Sequence, residues 1–437
     1  MGRGMRSTLV DFVGREQRRV FDPPVRSLMD IDFYKFTMGQ MIFKNFKDVQ
    51  VTFELINRDK GIPLASIVSE NELRKYLDYT RSIRFTSTEM AQLRGMRVYG
   101  ANMFSEEYMA FLENFQLPPY ALRRHGDQYK LTFSGAWAEV SMWETIALAI
   151  ISELYYRHLK SGLSMYELDV LYARAKSKLW GKLERLSQYP GIRYADFGQR
   201  RRHSFLWQDW AISAAKETNK EQLTGTSNTL LAFRHNITPV GTNAHELPMV
   251  LVALAHSEEE KRAAQYKVLE YWQELYGEGL RIFLPDTYGT AQFFASAPEW
   301  LAHTWRGMRQ DSGNPIRVAH AYMKWLSSYG VNPREKVVIF SDGLDVDPMI
   351  QIYKELVGQI NTGFGWGTLF TNDFLGCCPK IPFFRPFSLI CKPAEVNGVP
   401  AVKLPDNLAK ATGPAEEVER YLCMFGSEGR AYENVIV

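Results

Sequence analysis

The chain has 437 residues, 46% of them hydrophobic and 23% charged, with a formal net charge of +3. These proportions fit an ordinary globular protein of two or three domains, large enough to bury a core without disulfide staples. So small a charge argues against nucleic acid or an anionic membrane surface as a partner, and no apolar run reaches the length of a membrane span.

The N-terminal stretch up to Pro23–Pro24 lacks the continuous apolar segment of a secretory signal, and Arg6 stands where a myristoylation motif needs Ser or Thr. It reads as a loose basic arm. Residues from about 27 to 60 predict a helix followed by a strand in "DVQVTFELINR". From 87 to 134, short helical stretches lead into the strand pattern "YKLTFSG", and a long helix follows over 143–160. Its core, "WETIALAIISELYY", is the most apolar run, yet it carries Glu144 and Glu153. The cysteines, Cys377, Cys378, Cys391 and Cys423, contain no CxxC pair. They read as reduced thiols of a cytoplasmic protein.

From about residue 190 the texture changes. Seven β-prone runs appear, each ending in a polar cluster and leading into a helical stretch. They lie in "RYADFGQRRR", "LTGTSNTLLAFRHN", "ITPVGTNAHELPMVLVALAH", "RIFLPDTYGTAQFFASA", "WRGMRQDSGNPIRVAHAYMKWL", "VVIFSDGLDVDPMIQIYKEL" and "TGFGWGTLFTND". Repetition of this kind predicts βαβ units around a parallel sheet. Right-handed crossovers then place every polar tip at one end of that sheet, where both barrels and open α/β sheets bind ligands.

The tips carry Arg200–Arg202, Gly225–Ser227, His245–Glu246, Asp286–Thr287, Arg309 with Asp311 and Ser312, Ser341 with Asp342 and Asp345, and the glycines 363, 365 and 367 before Thr368. Arginines, hydroxyls and exposed backbone N–H groups are what phosphates require. Carboxylates among them suit sugar hydroxyls or a Mg²⁺ ion bridging phosphates. Taken singly, each has a plainer reading: Asp345 as a helix cap, the arginine run as a solvated loop, the glycines as turns. There is no Walker A loop and no dinucleotide-binding glycine fingerprint. His245–Glu246 is no zincin motif either, since Met249 occupies the second histidine position and Pro248 interrupts the pattern. A nucleophile, a general base or a structural histidine remain open for His245.

Taken together, "SLMDIDFYKFTM", "FSGAWAEVSMWE", "DFGQRRR", "GTSN", "PVGTNAHE", "LPDTYGT", "RQDSGNP", "VIFSDGLD" and "TGFGWGT" resemble, in collinear order from about residue 27 to beyond 400, the nicotinate phosphoribosyltransferase family. The resemblance implies an α/β fold: an irregular α/β barrel plus a second α/β domain built from the N-terminal part with C-terminal contributions. It implies an arm at 1–25, an N-terminal domain at 26–165, the barrel at 166–395, and a segment 396–437 returning to the N-terminal domain. It also implies a homodimer with shared active sites that joins nicotinate to phosphoribosyl pyrophosphate, with ATP and Mg²⁺ and a phosphorylated His245. Asp286 and Asp311 would serve the ribose and the oxocarbenium-like transition state. Arg309, Asp342 with Ser341 and Gly343, and the turn Gly365, Gly367 and Thr368 would hold phosphates. Arg200 would meet ring and phosphates, and Tyr34, beside Asp32, would stack on the ring from a partner subunit. Nicotinamide-specific relatives carry an aspartate at the place of Ser227, so Ser227 points to the acid. A nicotinamide or quinolinate enzyme and a non-catalytic homologue are the alternatives.

Overall fold

The computed structural model describes residues 21–98, 101–382 and 384–434, so most of the expected N-terminal arm lies outside the described residues. In chain order the strands are β1 Gln50–Asn57, β2 Arg97–Val98, β3 Ala101–Asn102, β4 Tyr120–His125, β5 Gln128–Ala136, β6 Tyr194–Asp196, β7 Leu223–Thr226, β8 Ile282–Phe283, β9 Gly307–Gln310, β10 Val337–Phe340, β11 Asn361–Trp366, β12 Leu389–Val396 and β13 Val399–Pro400. One sheet is antiparallel, in the order β13-β12-β1-β5-β4; a second is parallel, in the order β7-β6-β11-β10-β9-β8; β2 and β3 form a separate small pair.

β1 alternates buried and partly exposed residues, the period-two pattern of a strand with one face on a core. Its partner β12 comes from far along the chain, so the return to the antiparallel sheet starts at Leu389, ahead of residue 396. The helix Trp143–Lys160 is apolar nearly all round and is buried, packing against β12 and the short turn at 199–201. Its two glutamates are partnered inside: Glu153 accepts from the Phe205 N–H at 2.9 Å, and Glu144 joins a buried charge cluster. Among the described residues, no helix is long and apolar enough to cross a membrane.

Six of the seven expected strand runs are strands of the parallel sheet. The exception is "ITPVG". It makes a single bridge, Pro239 with Thr226, because Pro239 has no N–H to extend a ladder. The stretch still links the two sheet edges: Thr226 N–H donates to Thr238 O at 3.1 Å, and Asn243 Nδ2 donates to Ile282 O at 3.3 Å. The side left open between β7 and β8 is thereby spanned, an arrangement compatible with an irregular barrel.

Caps fix where the rim helices begin. Asp345 accepts from the Val346 N–H at 2.9 Å, so its local role is the cap. Asn314 caps the helix that Pro315 opens, a position where the missing N–H costs nothing. The arginine run divides by function. Arg202 is fully buried and makes a bidentate pair with Asp30, at 2.6 and 2.8 Å. It ties the segment before residue 34 to the parallel-sheet half of the chain and is not a solvated loop residue.

Candidate active site

All six parallel strands end on one side, and the predicted tips converge there. Ser227 follows β7 directly, Asp311 follows β9 and Gly367 follows β11, while Asp342 stands two residues past β10. One cavity is lined by Asp32, Tyr34, Arg200, Ser227, His245, Arg309, Asp311, Ser341, Asp342, Gly343, Gly367 and Thr368. Asp286 is not on its wall, but its Oδ1 lies 3.8 Å from His245 Nε2. Gly365 does not line it either. A Cβ at Gly365 would lie 2.3 Å from the Phe197 ring, and Phe197 forms the wall instead. Gly365→Ala is therefore expected to cost about 1–3 kcal/mol through overpacking, read as a lower melting temperature. An unchanged melting temperature would show that the ring moves freely.

His245 sits at the N-cap of the helix Glu246–Leu254, with Pro248 in the first turn, where no intrahelical N–H bond is required. Its Nε2 is 2.9 Å from Asp311 Oδ2 and its Nδ1 is 2.9 Å from Thr287 Oγ1. Burial, then the nearby Lys403 charge, pushes the imidazole down to about 4, against the opposing pull of Asp286 and Asp311. Burial pushes the Asp311 carboxyl up, but the His245 hydrogen bond and the Arg309 charge outweigh it and hold the group well below the usual range. An ionised Asp311 can only accept, which assigns the proton to Nε2 and leaves the Nδ1 lone pair facing the Thr287 hydroxyl. His245 is thus a neutral imidazole with its tautomer set. Glu246 does not set it: the helix turns this side chain away, onto Lys35 and Trp137. The partners are Thr287 and Asp311.

His245, Asp286 and Asp311 offer ligand atoms that all lie within 4.8 Å of one another, drawn from three separate segments of the rim.

Along another wall, Ser227 Oγ donates to Asp32 Oδ1 at 2.5 Å, and Arg200 Nε stands 3.9 Å from Asp32 Oδ2. Burial raises the Asp32 carboxyl to about 6, against the lowering effects of Arg200 and Ser227. Tyr34 reaches the cavity of its own chain, where the resemblance had it supplied by a partner subunit. The short link from Asp32 to Asn228, paired backbone to backbone, seats it there.

Composition gave no sign of the local charge. Four arginines (58, 200, 201 and 309) and three lysines (392, 403 and 410) line the cavity, against three aspartates (32, 311 and 342). Burial, then the neighbouring Arg200 and Arg58 charges, lowers Arg201 to about 10, and burial lowers Lys403 to about 8. Burial leads both shifts, and seven cations against three carboxylates suit the cavity to anions. Sequence reading missed Arg58, Lys392, Lys403 and Lys410. Lys410 pairs with Asp342, and Arg58 donates to Lys410 O at 2.7 Å. They stand in "INRDK", "LICKPAEV" and "AVKLPDNLAKAT", which carry no phosphate-loop pattern. The returning chain brings in the three lysines, while Arg58 directly follows β1.

Fold and site together define the class: an α/β enzyme with an anion-binding pocket at the carboxyl ends of a parallel sheet. Residues 192–426 match the model of the nicotinate phosphoribosyltransferase (NAPRTase) family, and residues 29–152 match that family's N-terminal domain. Solved structures agree. The chain is 27% identical to the nicotinate phosphoribosyltransferase of Vibrio cholerae, with a TM-score of 0.82 over 93% of this chain and 94% of that one. It is 26% identical to the enzyme of Porphyromonas gingivalis, with a TM-score of 0.80 over 92% of this chain and 99% of that one. The chain belongs to the nicotinate phosphoribosyltransferase family.

Proposed function

We propose that the chain joins nicotinate to 5-phosphoribosyl 1-pyrophosphate, releasing nicotinate mononucleotide and pyrophosphate, and couples this to ATP hydrolysis through His245. The observation that carries the reading is the buried imidazole of His245, held between Thr287 and Asp311 at 2.9 Å in the same pocket as seven cations and the Asp32–Ser227 pair. Nδ1 would attack the γ-phosphorus of ATP, forming an N–P bond as the β–γ bridge breaks and ADP departs; water later takes the phosphoryl group as orthophosphate. Asp311 retains the Nε2 proton and offsets the positive charge that builds on the ring. Displacement at the anomeric carbon develops oxocarbenium character, which the carboxylates of Asp311 and Asp286 suit. Arg200, Arg309 and the 367–368 turn, with Ser341, Asp342 and Gly343, provide for the phosphates, and the Tyr34 and Phe197 rings for the pyridine.

Mg²⁺ fits this set. Asp286 Oδ1 is buried with no hydrogen-bond partner among the described residues, and Asp311 is close by. Hard carboxylate oxygens suit Mg²⁺ better than the imidazole does. Asp286 and Asp311 would hold the ion, which would neutralise phosphate charge. The same reading makes the protein a cytoplasmic homodimer of NAD salvage, with Tyr34 acting in its own chain's pocket.

A nicotinamide enzyme fits less well, because Ser227 stands where those relatives carry aspartate. A non-catalytic homologue predicts a broken residue set, whereas His245, Arg309, Asp311 and Asp342 share one cavity. The deciding assay measures mononucleotide formation from nicotinate or nicotinamide, each with and without ATP. Nicotinate is expected to be used, and faster with ATP. Preference for the amide, or no product from either, overturns the proposal.

A further inference from the structure

Directly behind the cavity lies a buried cluster of four charges. Lys35 Nζ is 2.6 Å from Glu144 Oε2, 2.5 Å from Glu246 Oε2 and 3.2 Å from Ser141 Oγ. Lys392 Nζ is 2.7 Å from Glu144 Oε1, and Trp137 Nε1 donates to Glu246 Oε1 at 2.7 Å. The side chains of Lys35 and Glu246 are 0% exposed, and that of Glu144 is 1%. Two ammonium groups face two carboxylates, and the Arg200 guanidinium stands 4.0 Å from Glu144 Oε1. Stability alone does not account for such a cluster, since packed apolar residues of similar volume commonly serve as well or better.

Its placement offers a reason. Lys35 follows Tyr34, which starts the helix Tyr34–Asn45; Glu246 follows His245 and starts the helix Glu246–Leu254. Glu144 Oε2 also accepts from Tyr34 OH at 3.5 Å, and Lys392 itself lines the cavity. The cluster therefore joins the residue after the imidazole to the residue after the ring-facing tyrosine. A second contact runs beside it. Thr37 Oγ1 donates to Thr242 O at 2.9 Å, and a Cβ at Gly241 would lie 2.9 Å from Tyr34 N, so the "GTNAHE" loop lies against the start of the tyrosine helix.

We infer that Glu246 and Lys35 are positioning residues that link His245 to the Tyr34 wall, so that the phosphorylation state of His245 is transmitted to the ring-binding side of the pocket. The inference rests on the phosphohistidine reading. A phosphoryl group adds close to two negative charges at the start of the helix 246–254, where the helix dipole favours them. A shift of that start carries Glu246 with it. Glu246 in turn carries Lys35, because separating them leaves a buried charge unpaired. Tyr34 is the next residue along.

The test uses the full chain as wild type, Glu246→Gln, Lys35→Met and the double variant. The double variant removes one charge of each sign, leaves Glu144 paired with Lys392, and so guards against simple misfolding. ADP and nicotinate mononucleotide are counted in the same reaction, label from γ-labelled ATP on His245 is quantified, and melting is recorded. All three variants are expected to label, yet to consume at least threefold more ATP per mononucleotide than wild type. A purely structural role would lower melting and slow both products together with the ratio unchanged, which overturns the inference. A double variant that folds and couples like wild type overturns it as well. A wild type that neither labels nor hydrolyses ATP overturns the phosphohistidine reading and this inference with it. A coupling wild type whose ratio the variants share overturns the inference alone.

Discussion

Replacing His245 with glutamine is expected to abolish transfer of label from γ-labelled ATP and to remove all stimulation of mononucleotide formation by ATP. Glutamine can still meet Thr287 and Asp311, which contact the imidazole at 2.9 Å, so the wall should stay in place while the nucleophile is lost. Moving a two-state pocket from mostly open to mostly closed takes about 5.5 kcal/mol, an amount ATP-driven phosphorylation is suited to supply. Losing it should cut ATP-supported turnover by orders of magnitude and leave any ATP-independent rate intact. Mass spectrometry and steady-state kinetics read both effects. A glutamine variant that labels as wild type does, or keeps its ATP response, would remove His245 from the mechanism.

Ser227→Asp is the second large effect. Ser227 and Asp32 are both buried and joined at 2.5 Å, so the variant sets two carboxyls against each other in one dry site. Asp32, at about 6, is already ionised at pH 7.5 and faces Arg200, so ionisation of the new carboxyl adds a second negative charge that an incoming carboxylate would meet. Nicotinate kcat/KM is expected to fall about 100-fold, equal to about 2.7 kcal/mol at 1.36 kcal/mol per tenfold. Stability should acquire a pH dependence whose sign follows from proton binding. In the wild type the Asp32 carboxyl already stands at about 6 against an ordinary 3.8, so between those values the native state holds more protons than the unfolded chain. Stability contributed there falls as pH rises, by up to about 3 kcal/mol in total, and a second carboxyl deepens and widens the loss. Melting across pH 4 to 8, with nicotinate kinetics at pH 7.5, would show it. Unchanged acceptor kinetics would sever Ser227 from acid recognition.

Much of the rim was legible because strand, polar tip and helix recur locally. Hydrophobic runs ending in "GTSN", "RQDSGN" and "SDGLD" announce parallel strands, and parallel strands place their ends together whatever the loops do. That reasoning brought Ser227, Arg309, Asp311 and Asp342 to one cavity. It failed where a local pattern has two uses. Gly365 looked like part of a phosphate turn and is instead the gap beneath Phe197. Glu246 is next to His245 in the sequence, but the helix start aims the two side chains apart.

The sequence by itself determined the parallel α/β architecture, the family and the imidazole at the head of a helix, because these depend on periodicity, turn chemistry and motifs read within a few tens of residues. Tertiary structure alone decided which charges meet. Lys392, Lys403 and Lys410 enter the cavity only because β12 pairs with β1 and the chain beyond it folds over the rim. Asp311, not Glu246, holds the imidazole, and Tyr34 faces its own chain's pocket. Pairings between residues far apart in the chain leave no local trace, since electrostatic partnership depends on distance in space and burial, and neither is written in the spacing of the residues.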